Sequence, residues 1–91
     1  MNDQLMLIAV KTDLGITTPV YDDRLRACIR TAEDRIAREG VTLTDSDEDV
    51  NLVAMFAGYL WRCRNSGEGM PRMLRYALNT RIFSEKARAA L

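Results

Sequence analysis

Three aspartates at alternate positions, Asp45, Asp47 and Asp49, form the pattern in this chain that most suggests a metal site. A calcium-binding loop of the type Asp-x-Asp-x-Asp also needs glycine at its sixth position and glutamate at its twelfth. Those positions hold Val50 and Phe56. We therefore expect no metal site. Two roles remain for the acidic run, namely capping of a helix that starts there and contact with a basic partner.

The rest of the chain offers little for catalysis. It contains no histidine, which is the commonest general base and the commonest metal ligand. The GEG stretch at 67–69 lacks the later glycine and lysine of a phosphate-binding loop. Cys28 and Cys63 stand alone, without metal or redox spacing, and are expected to be reduced, small apolar residues. We expect no enzyme activity, no cofactor and no catalytic residue.

The strongest functional signal is the basic C-terminal segment MPRMLRYALNTRIFSEKARAAL, residues 70–91. The chain as a whole is formally neutral, but its charges are unevenly distributed. Residues 1–61 carry eleven acids and six bases, whereas residues 62–91 carry seven bases and two acids. The two parts therefore have net charges of −5 and +5.

Such a segment suits nucleic acid, a membrane or another protein. A DNA-reading domain usually has net positive charge and a recognition helix, whereas this chain is neutral and has no evident helix-turn-helix spacing. No apolar run approaches the roughly 18 residues of a membrane span. A membrane-surface helix would need one continuous basic face and one apolar face, and the segment does not keep them. Docking on protein fits best, and contact between the acidic and basic parts of two copies can close into a ring.

The sequence predicts an all-α fold, a small bundle of about four helices. Asn2 or Asp3 can cap a first helix that ends before Gly15. The second helix begins at the acidic pair 22–23 and runs to Gly40. Its apolar residues recur every 3 to 4 positions and form one buried stripe: Leu25, Cys28, Ile29, Ala32 and Ile36.

The third helix, about 47–65, is capped by Ser46 with Asp49 three positions on, which is close to a capping box. It is apolar almost all round, so its large side chains either all pack in the core of the subunit or in part face a neighbouring subunit. The candidates are Met55, Phe56, Tyr59 and Trp61. A glycine-containing break at 65–69 follows, and Pro71 opens the fourth helix.

The fourth helix is predicted to break near Asn79. Continued past that residue, its helical wheel places Phe83 among the arginines and Arg81 on the apolar face. Asn79 tolerates the left-handed conformation in which helices often end. We therefore expect a helical domain of residues 1–79 and a C-terminal helical arm of residues 80–91.

This order of features resembles the small head–tail connector proteins, also called adaptor or head-completion proteins, of tailed bacteriophages. The likeness is carried by LIAVKTDLGI, by DDRLRACIRTAEDRI, by the nearly all-apolar third helix and by MPRMLRYALN…IFSEKA after the glycine-containing break. It extends over roughly residues 5–88, and the C-terminal stretch is its most telling part.

The resemblance implies a structural protein that assembles as an oligomeric ring beneath the portal after packaging, extends the DNA channel and joins head to tail. The implied partners are further copies of the chain, the portal protein and a tail-side connector or stopper. Genomic DNA would pass through the channel without sequence specificity, and no membrane is involved. The implied location is the head–tail interface of the virion, after assembly in the host cytoplasm. The alternatives are a small DNA-binding protein and another helical protein-interaction module.

The expected partner-binding residues lie on the basic segment, and the family's C-terminal arm corresponds to residues 80–91. The contacts expected with the portal or a neighbouring subunit are Arg72, Arg75, Arg81, Phe83, Lys86, Arg88 and Leu91. Acidic contacts between copies are expected, from charge alone, at Asp45, Asp47, Glu48 and Asp49.

Overall fold

A computed structural model describes residues 2–64, 67 and 69–90 of the chain. The described residues form four α-helices and one short 3₁₀ turn: α1 Asp3–Leu14, the turn Pro19–Tyr21, α2 Asp22–Arg38, α3 Asp47–Arg62 and α4 Arg72–Ala89. The expected all-α fold of about four helices is confirmed, and this part of the chain contains no strand. The break predicted at 65–69 lies largely outside the described residues, as does Leu91.

The helix ends follow from local sequence. The side-chain oxygen of Asn2 caps α1 by accepting hydrogen bonds from two backbone amides of the first turn, at 2.9 and 3.1 Å. Gly15 ends α1 with a φ of +71°, a conformation that favours glycine. Ser46 caps α3 by accepting a 3.3 Å hydrogen bond from the Asp49 amide. These ends were predicted, apart from α3, which finishes at Arg62 rather than near residue 65.

The core lies around α3, on which α1, α2 and α4 all pack. The predicted stripe of α2 is confirmed, with Cys28 only half-buried at its edge. The buried apolar side chains of the core are Met6, Leu7, Val10, Leu25, Ile29, Ala32, Ile36, Val41, Leu52, Val53, Ala54, Phe56, Ala57, Leu74 and Leu78.

The large side chains of α3 divide between core and surface. Phe56 is buried, whereas Met55, Tyr59 and Trp61 are half-buried. The Trp61 ring also meets the Tyr21 ring edge-on, with 5.2 Å between centroids. Phe56 therefore has no surface to offer a neighbour, and the other three keep only part of theirs.

α4 does not break at Asn79, so that prediction was wrong. The helix continues through this residue to Ala89. The wheel nevertheless placed the side chains correctly, because Arg81 is 5% exposed and Phe83 is 73% exposed. The two apparent misfits lie where an unbroken helix puts them, and the boundary expected at residue 79 falls inside α4.

Two glycines offer a matched test of this architecture. Gly58 lies inside α3, and a Cβ there would meet only the Leu14 side chain, at an ordinary 3.7 Å. We expect Gly58→Ala to raise the free energy of unfolding by about 0.5–1 kcal/mol, because alanine loses less conformational entropy in a helix. Gly15→Ala should lower it by roughly 1–2 kcal/mol, because its φ is left-handed. Urea unfolding followed by circular dichroism measures both, and a shift of the same sign in the two variants would contradict the assignment.

Candidate interaction surface

Arg81 attaches the second half of α4 to the rest of the fold. Its Nε donates to Asp49 Oδ1 at 2.7 Å, and its Nη2 donates to Asp49 Oδ2 at 3.3 Å and to the Thr42 carbonyl at 2.9 Å. Its Nη1 donates to Glu85 Oε2 at 3.1 Å. The Arg81 and Asp49 side chains are only 6% and 1% exposed. All three nitrogens of the planar guanidinium therefore donate hydrogen bonds, which compensates for the burial of its charge.

The carboxylates of Asp49 and Glu85 also accept hydrogen bonds from the segment between α2 and α3. Asp49 Oδ2 accepts hydrogen bonds from the backbone amide and the hydroxyl of Thr44, each at 2.8 Å. Glu85 Oε1 accepts one from the Thr42 amide at 3.1 Å. In the described part of the chain, every buried side-chain nitrogen and oxygen has a partner. The network therefore joins α3, α4 and residues 42–44 into one unit.

The network also shifts the pKa values of its members. Burial alone raises the pKa of Asp49, but the hydrogen bonds from Arg81 and Thr44 outweigh it and hold the pKa below the ordinary 3.8. The hydrogen bond from Arg81, followed by those from Thr42, holds the pKa of Glu85 below its usual 4.5. The hydrogen bonds to Asp49 and Glu85 in turn raise the pKa of Arg81. All three groups are charged at neutral pH.

Arg81 and Asp49 are therefore not surface contacts, although both were expected among the partner-binding residues. The pairing of acidic and basic segments inferred from charge occurs here within a single chain. Asp49 also does not complete a capping box, because its carboxylate binds Thr44 and Arg81 instead of the amide of Ser46. The sequence carried a signal for each residue separately, though not for their contact, because each is a charge on the apolar face of its own helix.

The other expected contacts of α4 are exposed. Three of them, Arg72, Arg75 and Lys86, lie on the side away from Arg81, whereas Arg88 follows Arg81 by two turns and lines a cavity with it. Arg72, Arg75, Lys86 and Arg88 are exposed, and none of their side chains makes an ion pair or hydrogen bond within the described residues. Phe83 lies among them and is also exposed. The structure thus places five of the seven expected basic-segment contacts on the surface of one helix.

Met73 and Tyr76 are 75% and 74% exposed, although neither was among the contacts predicted from the sequence. With Phe83 they belong to a row spaced alternately by three and four residues along the outside of α4. We call this row the outer stripe; its members are Met73, Tyr76, Thr80, Phe83, Ala87 and Ala90. The predicted break hid it, because the stripe continues across residue 79.

Apolar surface continues from the outer stripe into a groove between α3 and α4. Two adjoining cavities of about 380 and 320 Å³ share Met55 on the floor of this groove. Met73 lines the first cavity together with Asp13 of α1 and Arg62 of α3, and Tyr76 and Ala77 line the second. A contiguous exposed apolar surface is a feature of binding faces.

Asp45, Asp47 and Glu48 are exposed at the start of α3, as an acidic contact requires. They lie at the same end of the bundle as the last turns of α4, since Glu48 and Arg88 line one cavity of about 270 Å³. The acidic turn and the basic helix end therefore offset one another within a chain. This placement weakens the case for the acidic turn as the main contact with another copy.

Comparison of the chain with protein-family models, with curated proteins and with solved structures gives no match. None of the described helices combines the length and the hydropathy that crossing a membrane requires. The described residues also include no cluster of cysteine, aspartate or glutamate side chains suited to holding a metal ion. The geometry of α4 therefore carries the functional argument.

The buried pair makes a sharp stability prediction. Arg81→Met leaves the Asp49 carboxylate buried without its main partner, and we expect it to lower the free energy of unfolding by about 3–5 kcal/mol. The double variant Arg81→Met with Asp49→Leu should lose clearly less, because no buried charge remains. Arg75→Met, at an exposed arginine on the same helix, is the control and should stay within about 0.5 kcal/mol of wild type. Urea unfolding at pH 7 measures all three, and equal losses for Arg81→Met and Arg75→Met would contradict the buried pair.

The same network predicts a loss of stability in acid. The folded pKa values of Asp49 and Glu85 lie below their ordinary values of 3.8 and 4.5. Their contribution is therefore present above those values and is lost as the pH falls through the lower, folded values. Urea midpoints measured from pH 6 down to pH 2.5 should fall more steeply for wild type than for the Arg81→Met, Asp49→Leu variant. Parallel curves would show that the pair does not titrate as described.

Proposed function

We propose that this protein is a structural head–tail connector subunit of a tailed bacteriophage, which assembles as a ring beneath the portal, extends the DNA channel and joins head to tail. The proposal rests mainly on the outer side of α4, where the outer stripe lies beside exposed basic residues whose side chains make no ion pair or hydrogen bond within the described residues. The sequence resemblance supplies the setting, the phage head–tail interface.

The chemistry of this surface favours a protein partner. Interface cores are enriched in aromatic residues, methionine and arginine and are depleted of lysine, and three of the four exposed bases of α4 are arginines. Met73, Tyr76 and Phe83 supply the apolar anchors. An anchored helix loses little freedom on docking, and the Arg81 network anchors α4 before any partner arrives.

The proposal assigns roles along α4. Phe83 and the exposed bases of the last turns, Lys86 and Arg88, form the surface of the arm that meets the portal or a neighbouring subunit. Arg81 holds the start of that arm against the bundle and is not itself a contact with a partner. The partners are further copies, the portal protein, a tail-side connector or stopper, and DNA passing through the channel.

Electron microscopy of the purified protein, mixed with the portal protein encoded in the same genome, tests the proposal. Wild type should add a ring of density below the portal. Tyr76→Ser with Phe83→Ser should remove that ring while circular dichroism shows an intact helical fold, because both side chains are exposed. Ala37→Ser, at an exposed apolar residue of α2, is the control and should assemble like wild type. A protein that never joins portal or tail would contradict the proposal.

One observation favours the alternative of a DNA-binding protein. Arg35 and Arg38 of α2 and Arg75 of α4 line a common cavity of about 250 Å³, with Glu39 as its single acid. Three guanidinium groups so placed suit a phosphate backbone without reading its sequence. Retention of duplex DNA that weakens steeply with salt and is lost in Arg35→Glu, Arg38→Glu would support this reading. Absence of retention at low salt would remove it.

A further inference from the structure

Seven large apolar side chains are exposed in the described part of the chain, and they fall on only two segments. Met73, Tyr76 and Phe83 belong to the outer stripe of α4. The other four lie near the N-terminus, on α1 and the 3₁₀ turn: Leu5, Ile8, Val20 and Tyr21. No residue of α2 or α3 is among the seven, although these helices make up the centre of the bundle. The apolar surface of this protein is thus concentrated in two places.

The two segments carry opposite charge. Residues 3–23 contain four acids and one base, whereas α4 contains five bases and one acid. Within the first segment, Asp22 is held by Lys11 at 2.8 Å, which ties the end of α1 to the start of α2. Asp3, Asp13 and Asp23 are exposed. Asp23 also meets Arg26 of the same chain at 3.5 Å, but this ion pair is exposed to solvent and pairs of that kind contribute little. We call residues 3–23 with these exposed side chains the acidic face.

Charge decides which apolar surface can cover the outer stripe. Two outer stripes packed against each other would bring together the exposed bases of two α4 helices, and like charges placed opposite one another destabilise a contact. The acidic face offers apolar side chains together with the opposite charge. A contact between unlike surfaces of two copies leaves one free surface at each end, so it can repeat and close into a ring.

We propose that the outer stripe of α4 in one copy docks on the acidic face of the next copy. Phe83, Tyr76 and Met73 pack against the exposed apolar residues of α1 and the 3₁₀ turn, and the bases of α4 face the exposed aspartates. This contact rests on the proposed function for its setting, the ring, and it names the two surfaces that meet between neighbouring subunits.

Two half-blocked variants test the contact in the full chain. Tyr76→Ser with Phe83→Ser blocks the outer stripe and leaves the acidic face intact. Leu5→Ser with Ile8→Ser blocks the acidic face and leaves the outer stripe intact. All four side chains are at least half exposed, so both variants should keep the fold, which circular dichroism and urea unfolding verify.

Neither half-blocked variant should associate with itself, but a mixture should form a dimer that cannot grow, because each variant supplies the one surface that the other lacks. The probe is the ¹⁵N-labelled stripe-blocked variant, titrated with the unlabelled face-blocked variant up to about 1 mM. Amide shifts should be confined to residues 3–23, and reversing the label should move them to α4. The apparent Kd should rise as salt is added, because the contact is partly electrostatic.

Three results would overturn the contact: no shift in the mixture at the highest concentration, shifts outside the two surfaces, or self-association of the face-blocked variant through its own α4. The proposed function is tested separately by the portal experiment. Rings formed on the portal by the face-blocked variant alone would contradict the contact and leave the connector function standing. If the two variants form a mixed dimer but the protein never joins the portal, the contact is supported and the connector function is contradicted.

Discussion

The buried ion pair between Asp49 and Arg81 determines which side chains of α4 are exposed to other molecules. A buried pair is a weak net stabiliser, but removing one partner is costly because the other charge stays buried. Turning α4 by one residue would move each side chain by about 100°. Such a turn would separate the pair and carry Arg81 toward solvent. The pair therefore acts as a register device for α4, in addition to the packing of Leu74 and Leu78 on α3.

Register fixes which residues face outward. With Arg81 held inside, Phe83 lies two positions further on and must point away from the core. Tyr76, Thr80 and Ala87 follow at the spacing of one helix face. The basic side chains on the outside, those of Arg72, Arg75 and Lys86, make no ion pair or hydrogen bond within the described residues. The ion pair that fixes α4 on the bundle thus leaves the outside of α4 with an apolar and cationic surface.

Much of the fold could be predicted from sequence because its signals are local. The caps at Asn2, Gly15 and Ser46 and the buried stripe of α2 depend on residues within a turn or two of each other. The predicted break near Asn79 failed for the opposite reason. Arg81 looked like a misfit because its partner lies 32 residues away, and no local pattern shows that contact.

Only part of the candidate site could be predicted, because only some of its residues give a local signal. The exposed bases and Phe83 could be named because they stand out in the sequence. Met73 and Tyr76 could not, since their exposure depends on the unbroken helix. The acidic face was missed because Leu5 and Ile8 directly flank the buried Met6 and Leu7 in one apolar run of α1, so they resemble core positions. The connector function and the partners remain proposals that rest on the resemblance and on this surface.

Hydrogen exchange tests most directly whether α4 is one helix held by the buried pair. The backbone amides of residues 82–85 lie beyond the predicted break. They are protected from exchange only if the second half of α4, which Arg81 holds against the bundle, stays helical. Native-state exchange should give them nearly the same free energy of opening as the amide of Leu78 in wild type, and much of that protection should be lost in Arg81→Met. Exchange of residues 82–85 at the rate of an unstructured peptide, while Leu78 stays protected, would contradict the account.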